Sequence, residues 1–155
     1  MFKSYYRSEV GIIEVTGNEE GISSVSFIDG DKNTEYETFQ VHPLLRDCMD
    51  QIDGYFRGSL KEFDVKLQIK GTEFQSRVWK ELLKIPYGET ASYRDIAAGV
   101  GDKKAVRAVG SANGNNRIAI IIPCHRVIGS NGKLTGYAGG LWRKEWLLKH
   151  EAVYK

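Results

Sequence analysis

The densest chemistry in the chain lies at Pro123-Cys124-His125-Arg126. A thiol attacks as its thiolate, so a reactive cysteine needs neighbours that favour the anion. An imidazole and a guanidinium both adjoin this one. In an extended segment, adjacent residues point to opposite faces, which leaves His125 able to reach the Cys124 sulfur only across a bend or a bridging water. Glu151, near the end of the chain, can orient the imidazole and stabilise its charged form, the part of a third member in a nucleophile–base–carboxylate arrangement. By spacing alone, a buried structural cysteine fits the segment about as well. A second constellation precedes it. Lys103, Lys104 and Arg107 are interleaved with Ala105, Ala108, Gly110, Ser111 and Ala112. Small side chains allow close approach to a surface, and basic groups meet phosphates. Few long polar side chains are present to read base edges in a major groove. The pattern suits shape-dependent, sequence-tolerant contact, with one long basic residue able to wedge into a base stack. Two ordinary packing helices would read the same way.

The elements that must position these residues can be read along the chain. Segments 10–15 (VGIIEV) and 21–28 (GISSVSFI) are β-rich and separated by a Gly17-Asn18-Glu19-Glu20 turn. Polar residues then predict a loop through Thr38. A helix is predicted over 43–57, with Pro43 at its first position and Leu44, Leu45, Cys48, Met49, Ile52, Tyr55 and Phe56 on one face. Cys48 on that stripe is a core filler. FDVKLQI at 63–69 reads as a returning strand. Beyond Gly71, Thr72 and Gln75 fit a capping box for a helix that runs to Ile85-Pro86. Ser92 caps a short helix ending at Gly101, and Asp102 caps a second one beginning at Lys103, which together form a helix-turn-helix. Ile118–Ile122 reads as a buried strand stopped by Pro123, so that Cys124 lies at the rim of the core. A last helix, 141–151, draws apolar surface from Trp142, Trp146, Leu147 and Leu148.

Composition sets the bounds. At 155 residues and 41% hydrophobic, the chain has the balance of a soluble globular protein. No stretch reaches the roughly 18–20 apolar residues of a membrane span, and the first residues do not resemble a secretory leader. Cys48 and Cys124 cannot build a disulfide framework, which predicts a reducing compartment. Neither these cysteines nor His42, His125 and His150 show the paired spacing of a zinc site. The net charge of +2 hides an asymmetry: 13 acidic against 8 basic residues through position 70, then 7 against 14. A net −5 joined to a net +7 predicts that the second half meets a polyanion.

The segments GTEFQSRVWKELLKIPYGETASYRDIAAGVG, KKAVRAVGSANGNN, IPCHRV and GKLTGYAGGLWRKEWLLKHE occur in this order over 71–155. Together they resemble the O6-alkylguanine-DNA alkyltransferases. The first 70 residues resemble that family only in length and β-rich design. The resemblance implies an α+β protein with a small-sheet lobe at 1–70 and a mostly helical lobe at 71–155 that carries the helix-turn-helix. It implies direct damage reversal, in which an alkylated guanine, or less readily an O4-alkylthymine, is rotated out of duplex DNA and its alkyl group is transferred once, irreversibly, to Cys124. His125 with Glu151 would deprotonate Cys124 through water, and Asn116 would hold the turn before it. Tyr93 would help rotate the nucleotide and donate to its ring, while Arg107 would fill the vacated place in the stack. Lys103, Lys104, Ala105, Ala108 and Arg126 would face the DNA, and Val127, Tyr137 and Ala138 would receive the base.

The resemblance also implies minor-groove binding without strong sequence preference, no cofactor, no metal, and a cytoplasmic, nucleoid-associated monomer (nuclear in a eukaryote). Two positions depart from the family pattern. Arg117 and Lys103 stand where proline is common, which loosens two turns and adds charge. Other classes weighed against this one are a non-catalytic lesion binder, a cysteine hydrolase and a transcription factor. The first would lack a reactive thiol, the second would turn over acyl substrates, and the third would display base-reading side chains.

Overall fold

The computed structural model describes residues 1–29 and 41–155, which divide into two compact units, Met1–Ile69 and Lys70–Lys155. The fold is α+β. The predicted loop through Thr38 lies largely outside the described residues.

In the first unit, β1 (Phe2–Ser8), β2 (Gly11–Asn18) and β3 (Gly21–Ile28) form an antiparallel meander in the order β1-β2-β3. Tyr5 pairs with Glu14 and Val15 with Val25. β1 was not foreseen because its FKSYYRS run lacks apolar–polar alternation. It is carried instead by aromatic side chains and by pairing with β2. Helix α1 (Pro43–Phe56) packs on β1 and β2, burying Leu45, Cys48, Met49, Ile52, Tyr55 and Phe56. Leu44, predicted on that face, lies at its edge and is exposed. Segment 63–69 does not form a laddered strand. Its one bridge is Ile22↔Leu67, with the Ile22 N–H donating to the Lys66 carbonyl at 2.8 Å. The close approach is possible because Gly21 has φ +126°, and a Cβ there would lie 2.5 Å from the Lys66 carbonyl oxygen.

In the second unit, α2 (Glu73–Leu82) begins at a full Thr72/Gln75 capping box and buries Val78, Trp79 and Leu82. The Trp79 indole donates to the Ala112 carbonyl on α4 (Val106–Gly114) at 2.8 Å. A two-residue strand β4 (Ala91–Ser92) leads into α3 (Tyr93–Gly99), which Ser92 and Asp95 cap reciprocally. Gly101, at φ +88°, turns the chain from α3 towards α4. The second helix of this helix-turn-helix starts three residues later than predicted. Asp102 accepts from Lys104 N–H and, through its carbonyl, from Ala105 N–H, which closes a turn rather than a helix. Lys103 and Lys104 therefore stand on that turn.

Ile118–Ile122 is not a strand. Its carbonyls and amides close on one another, Ile122 N–H to Ile118 O at 3.1 Å and Ile121 N–H to Ala119 O at 2.7 Å. Ile120 is buried with φ +70°, a conformation that a β-branched residue rarely adopts. A single 3-10 turn, Cys124–Arg126, follows, and then β5 (Val127–Ile128), parallel to β4. Helix α5 (Leu141–Val153) ends the unit. It buries Arg143, Lys144, Leu147, His150 and Glu151, whereas Trp142, expected to supply core surface, is 56% exposed. Among the described residues no helix is long and apolar enough to cross a membrane.

Candidate active site

The 3-10 turn decides the local geometry. Because Cys124 begins a tight turn rather than ending a strand, the expected bend between Cys124 and His125 is built into the backbone. Asn116 stabilises the approach to it. Its side-chain amide donates to the carbonyls of Ile122 (2.9 Å) and Ile118 (3.3 Å), and its oxygen accepts from Ile118 N–H at 3.0 Å. A buried asparagine not singled out from the sequence, Asn113 on α4, donates to the Cys124 carbonyl at 3.4 Å.

His125 and Glu151 are fully buried and 2.6 Å apart, Nε2 to Oε2. A carboxylate accepts only, so the imidazole proton sits on Nε2 and leaves Nδ1 as an acceptor. Nδ1 has no protein partner among the described residues. Burial pulls the His125 imidazole below its ordinary 6.5, against the pull of the Glu151 carboxylate, so it is neutral at pH 7. For Glu151, burial alone would raise the carboxyl, but His125 and Arg126 outweigh it and hold it well below the usual carboxylate range. Gly88 N–H adds a third donor at 3.1 Å.

Arg126 turns inward. Expected on the DNA-facing surface, it is 6% exposed and grips Glu151 with two edges, Nε to Oε1 at 2.8 Å and Nη2 to Oε2 at 3.2 Å. Its Nη1 donates to the Ile85 carbonyl at 2.7 Å. Removing this guanidinium would strip a buried carboxylate of its cationic partner, which is the costly way to break such a pair.

Cys124 is 5% exposed. Burial pushes its thiol up, while Asn116, Lys144 and backbone amides pull the other way. The Tyr137 hydroxyl is pushed well above its ordinary value, chiefly by burial and further by Cys124. Tyr93, at the start of α3, accepts from the Thr135 hydroxyl at 2.8 Å. Arg143 donates to the Gly139 carbonyl at 3.0 Å and Lys144 to that of Thr135 at 2.8 Å, so consecutive cations of α5 hold the two ends of the 135–139 loop. Lys144 was missed from the sequence. The signal was present, because Lys144, Leu147, Leu148 and Glu151 share a helical spacing that places them on one face.

The structure thus brings Cys124, His125, Glu151, Asn116 and Tyr137 together, with Val127 buried in β5 beside them. Ala138 is exposed on the loop. Lys103, Lys104, Arg107 and Ala108 are exposed, and Ala105 is half-buried at the start of α4. Among the described residues no group of His, Cys, Asp and Glu could hold a metal ion.

Two family models match the chain. Residues 1–69 match the ribonuclease-like domain of 6-O-methylguanine DNA methyltransferase, and residues 73–153 match its DNA binding domain. A methylated-DNA–protein-cysteine methyltransferase of Methanosarcina acetivorans is 52% identical over 153 residues, covering 97% of this chain and 98% of the relative. The protein of that name from Mycobacterium tuberculosis is 62% identical over 104 residues, 67% of this chain and 63% of the relative. Among solved structures, the Mycobacterium tuberculosis OGT in complex with DNA superposes with a TM-score of 0.88 at 45% identity, covering 98% of this chain and 93% of that one.

Proposed function

Since the chain belongs to the 6-O-methylguanine DNA methyltransferase family, we infer that it repairs DNA by direct reversal, moving an alkyl group from O6-alkylguanine in duplex DNA to its own Cys124. One observation carries the assignment of chemistry to residues. Cys124 shares a buried turn with a neutral imidazole whose second nitrogen is oriented by a carboxylate. That arrangement suits a base that takes a thiol proton only when a substrate is in place. The thiol proton passes to His125 Nδ1, with a water as the bridge, and Glu151 stabilises the imidazolium formed. Sulfur attacks the alkyl carbon in line as the C–O6 bond breaks.

Attack at a saturated carbon develops no tetrahedral oxyanion. The charge needing stabilisation is on the departing guanine, and Tyr93 with backbone N–H groups near Tyr137 and Ala138 serves there. Val127 lines the same pocket. Asn116 fixes the turn that aims the sulfur. Arg107 occupies the gap left by the flipped nucleotide, while Lys103, Lys104, Ala105 and Ala108 meet the backbone on the minor-groove side. Flipping costs a few kcal/mol, less for a poorly paired base, which favours lesions without sequence readout. Both cysteines are free thiols, which supports a reducing, cytoplasmic setting where the protein acts as a monomer on the nucleoid.

The test is stoichiometric. Incubation with a duplex holding one O6-methylguanine should consume one lesion per protein and leave a methyl group on the Cys124 peptide by mass mapping. An unmodified peptide beside an undiminished lesion overturns the assignment. Cys124→Ala should bind the duplex and repair nothing.

A further inference from the structure

The loop assigned above to the base runs Gly136-Tyr137-Ala138-Gly139-Gly140, three glycines in five residues. Glycine loses more conformational freedom on ordering than any other residue, so a wall of this composition closes only where something outside it holds it shut. The Thr135 end has two polar anchors: its carbonyl accepts from Lys144 Nζ at 2.8 Å, and its hydroxyl donates to that of Tyr93 at 2.8 Å. The other end is held differently. Gly140 takes φ +93°, and its N–H donates to the Tyr137 carbonyl at 2.8 Å, which folds the loop on itself. The Gly139 carbonyl accepts from Arg143 Nη1 at 3.0 Å. That guanidinium stands 4.7 Å from the ring centre of Trp142, within cation–π reach. The same indole lies back over Gly140, where a Cβ would come within 3.3 Å of Trp142 Cδ1 and Nε1. At 56% exposed, Trp142 adds little to the core. What it covers is the glycine pair and the cation that grips it.

We propose that Trp142 is a latch on this wall, a positioning residue that keeps the Gly139–Gly140 end shut through Arg143 and so limits the size of the alkyl group that can reach Cys124. Its substrate side rests on the repair reading above. Tyr137 and Ala138 stand between the two anchored ends, and Cys124 is only 5% exposed. A methyl group asks little of the loop. A larger substituent needs the wall to swing outward, and that motion breaks the Arg143–Gly139 hydrogen bond and the Gly140–Tyr137 turn. The indole opposes the swing at two points, by covering one face of the guanidinium and by lying against the Gly140 backbone. Without it, the guanidinium face meets water and the glycine pair regains its freedom. An exposed side chain can be exchanged without opening a cavity in the core, so the latch is tested at Trp142 and not at Arg143, which is 6% exposed.

The experiment compares wild type, W142A and W142F in three measurements. The first is single-turnover transfer from duplexes carrying O6-methylguanine or O6-benzylguanine. The second is labelling of the Cys124 peptide by iodoacetamide and by the bulkier N-benzylmaleimide. The third is amide hydrogen exchange at Gly140, whose N–H is bonded only while the loop is folded on itself. Loss of an exposed cation–π contact should raise the open population about two- to fivefold. W142A should therefore raise the benzyl-to-methyl rate ratio, the maleimide-to-iodoacetamide ratio and Gly140 exchange each by about that factor, with exchange at Leu147 in α5 unchanged. W142F, which keeps a ring beneath the guanidinium, should stay close to wild type in all three. A general loss of packing would not favour large substituents over small ones. Unchanged or lower size ratios in W142A overturn the proposal, as does unchanged Gly140 exchange or a W142F that behaves like W142A. The labelling and exchange measurements use no DNA, so a wild type that accepts no alkyl group from either duplex would count against the repair reading alone.

Discussion

Glu151 accepts from three sources at once, His125, Arg126 and the Gly88 amide, and this density makes it both a structural and a chemical residue. Replacing it by glutamine leaves the Arg126 charge buried without its partner. Breaking a buried pair from one side costs about 3–5 kcal/mol. We expect Glu151→Gln to lose about that much in urea unfolding and to transfer methyl groups far more slowly, because His125 would no longer be held with its proton on Nε2. Wild-type stability in urea with rapid transfer would contradict both roles. The same cluster sets the pH response. Folded His125 titrates below its ordinary 6.5, so the unfolded chain binds the extra proton first and stability falls as pH drops below about 6.5. Glu151, depressed in the folded state from its ordinary 4.5, adds a second loss of the same sign below about 4.5. Urea midpoints measured between pH 7.5 and 4 should decline through both windows, and His125→Gln should flatten the upper one.

At the scale of elements, the turn before the nucleophile carries the sharpest backbone constraint. Ile120 is buried with φ +70°, where β-branched residues are strained. Glycine ordinarily costs about 0.5–1 kcal/mol more than alanine in regular structure. Here the order should reverse. Ile120→Ala and Ile120→Gly both lose the side chain's packing, but only glycine relieves the backbone, so Ile120→Gly should unfold at the higher urea concentration. The opposite order would mean that the turn relaxes around alanine at no cost. This residue also explains why the run 118–122 misled. Five apolar residues before a proline are indistinguishable by periodicity from a buried strand, whereas in the structure Ile120 takes a positive φ and Asn116 donates to the Ile122 carbonyl across the turn. The helices beginning at Glu73 and Tyr93 were legible because their capping boxes are local chemistry, complete within four residues. The later start of α4 was not, since Asp102 can close a turn as readily as cap a helix. Cys124, His125 and Glu151 could be named from their types and the family resemblance. The inward turn of Arg126 depends on which face of a turn meets the core, a tertiary fact that neighbouring residues in sequence do not encode.

Across the whole molecule, function is written into charge and into a reaction that happens once. The second half of the chain carries 14 basic against 7 acidic residues, and Lys103, Lys104 and Arg107 stand exposed around the start of α4. Binding that neutralises phosphates weakens linearly in log salt, by a slope of about 0.9 per contact. Lys103→Ala with Lys104→Ala should therefore reduce the slope by about two while leaving discrimination for the lesion intact, and an unchanged slope would remove both residues from the phosphate contacts. Arg107→Ala should instead erode preference for damaged over intact duplex, because a wedge acts on the flipped state and not on the backbone. The permanence of the thioether has a further consequence for the fold. Cys124 is 5% exposed in a turn closed by Asn116 and Asn113. A methyl group added there must displace packed neighbours, and overpacking of this kind typically costs about 1–3 kcal/mol. The methylated protein should therefore melt several degrees lower than the unreacted one and expose its second unit to protease sooner. Thermal melts of the two forms, prepared from one batch and freed of DNA, make the comparison. Coincident midpoints would mean that the pocket has room for the methyl group.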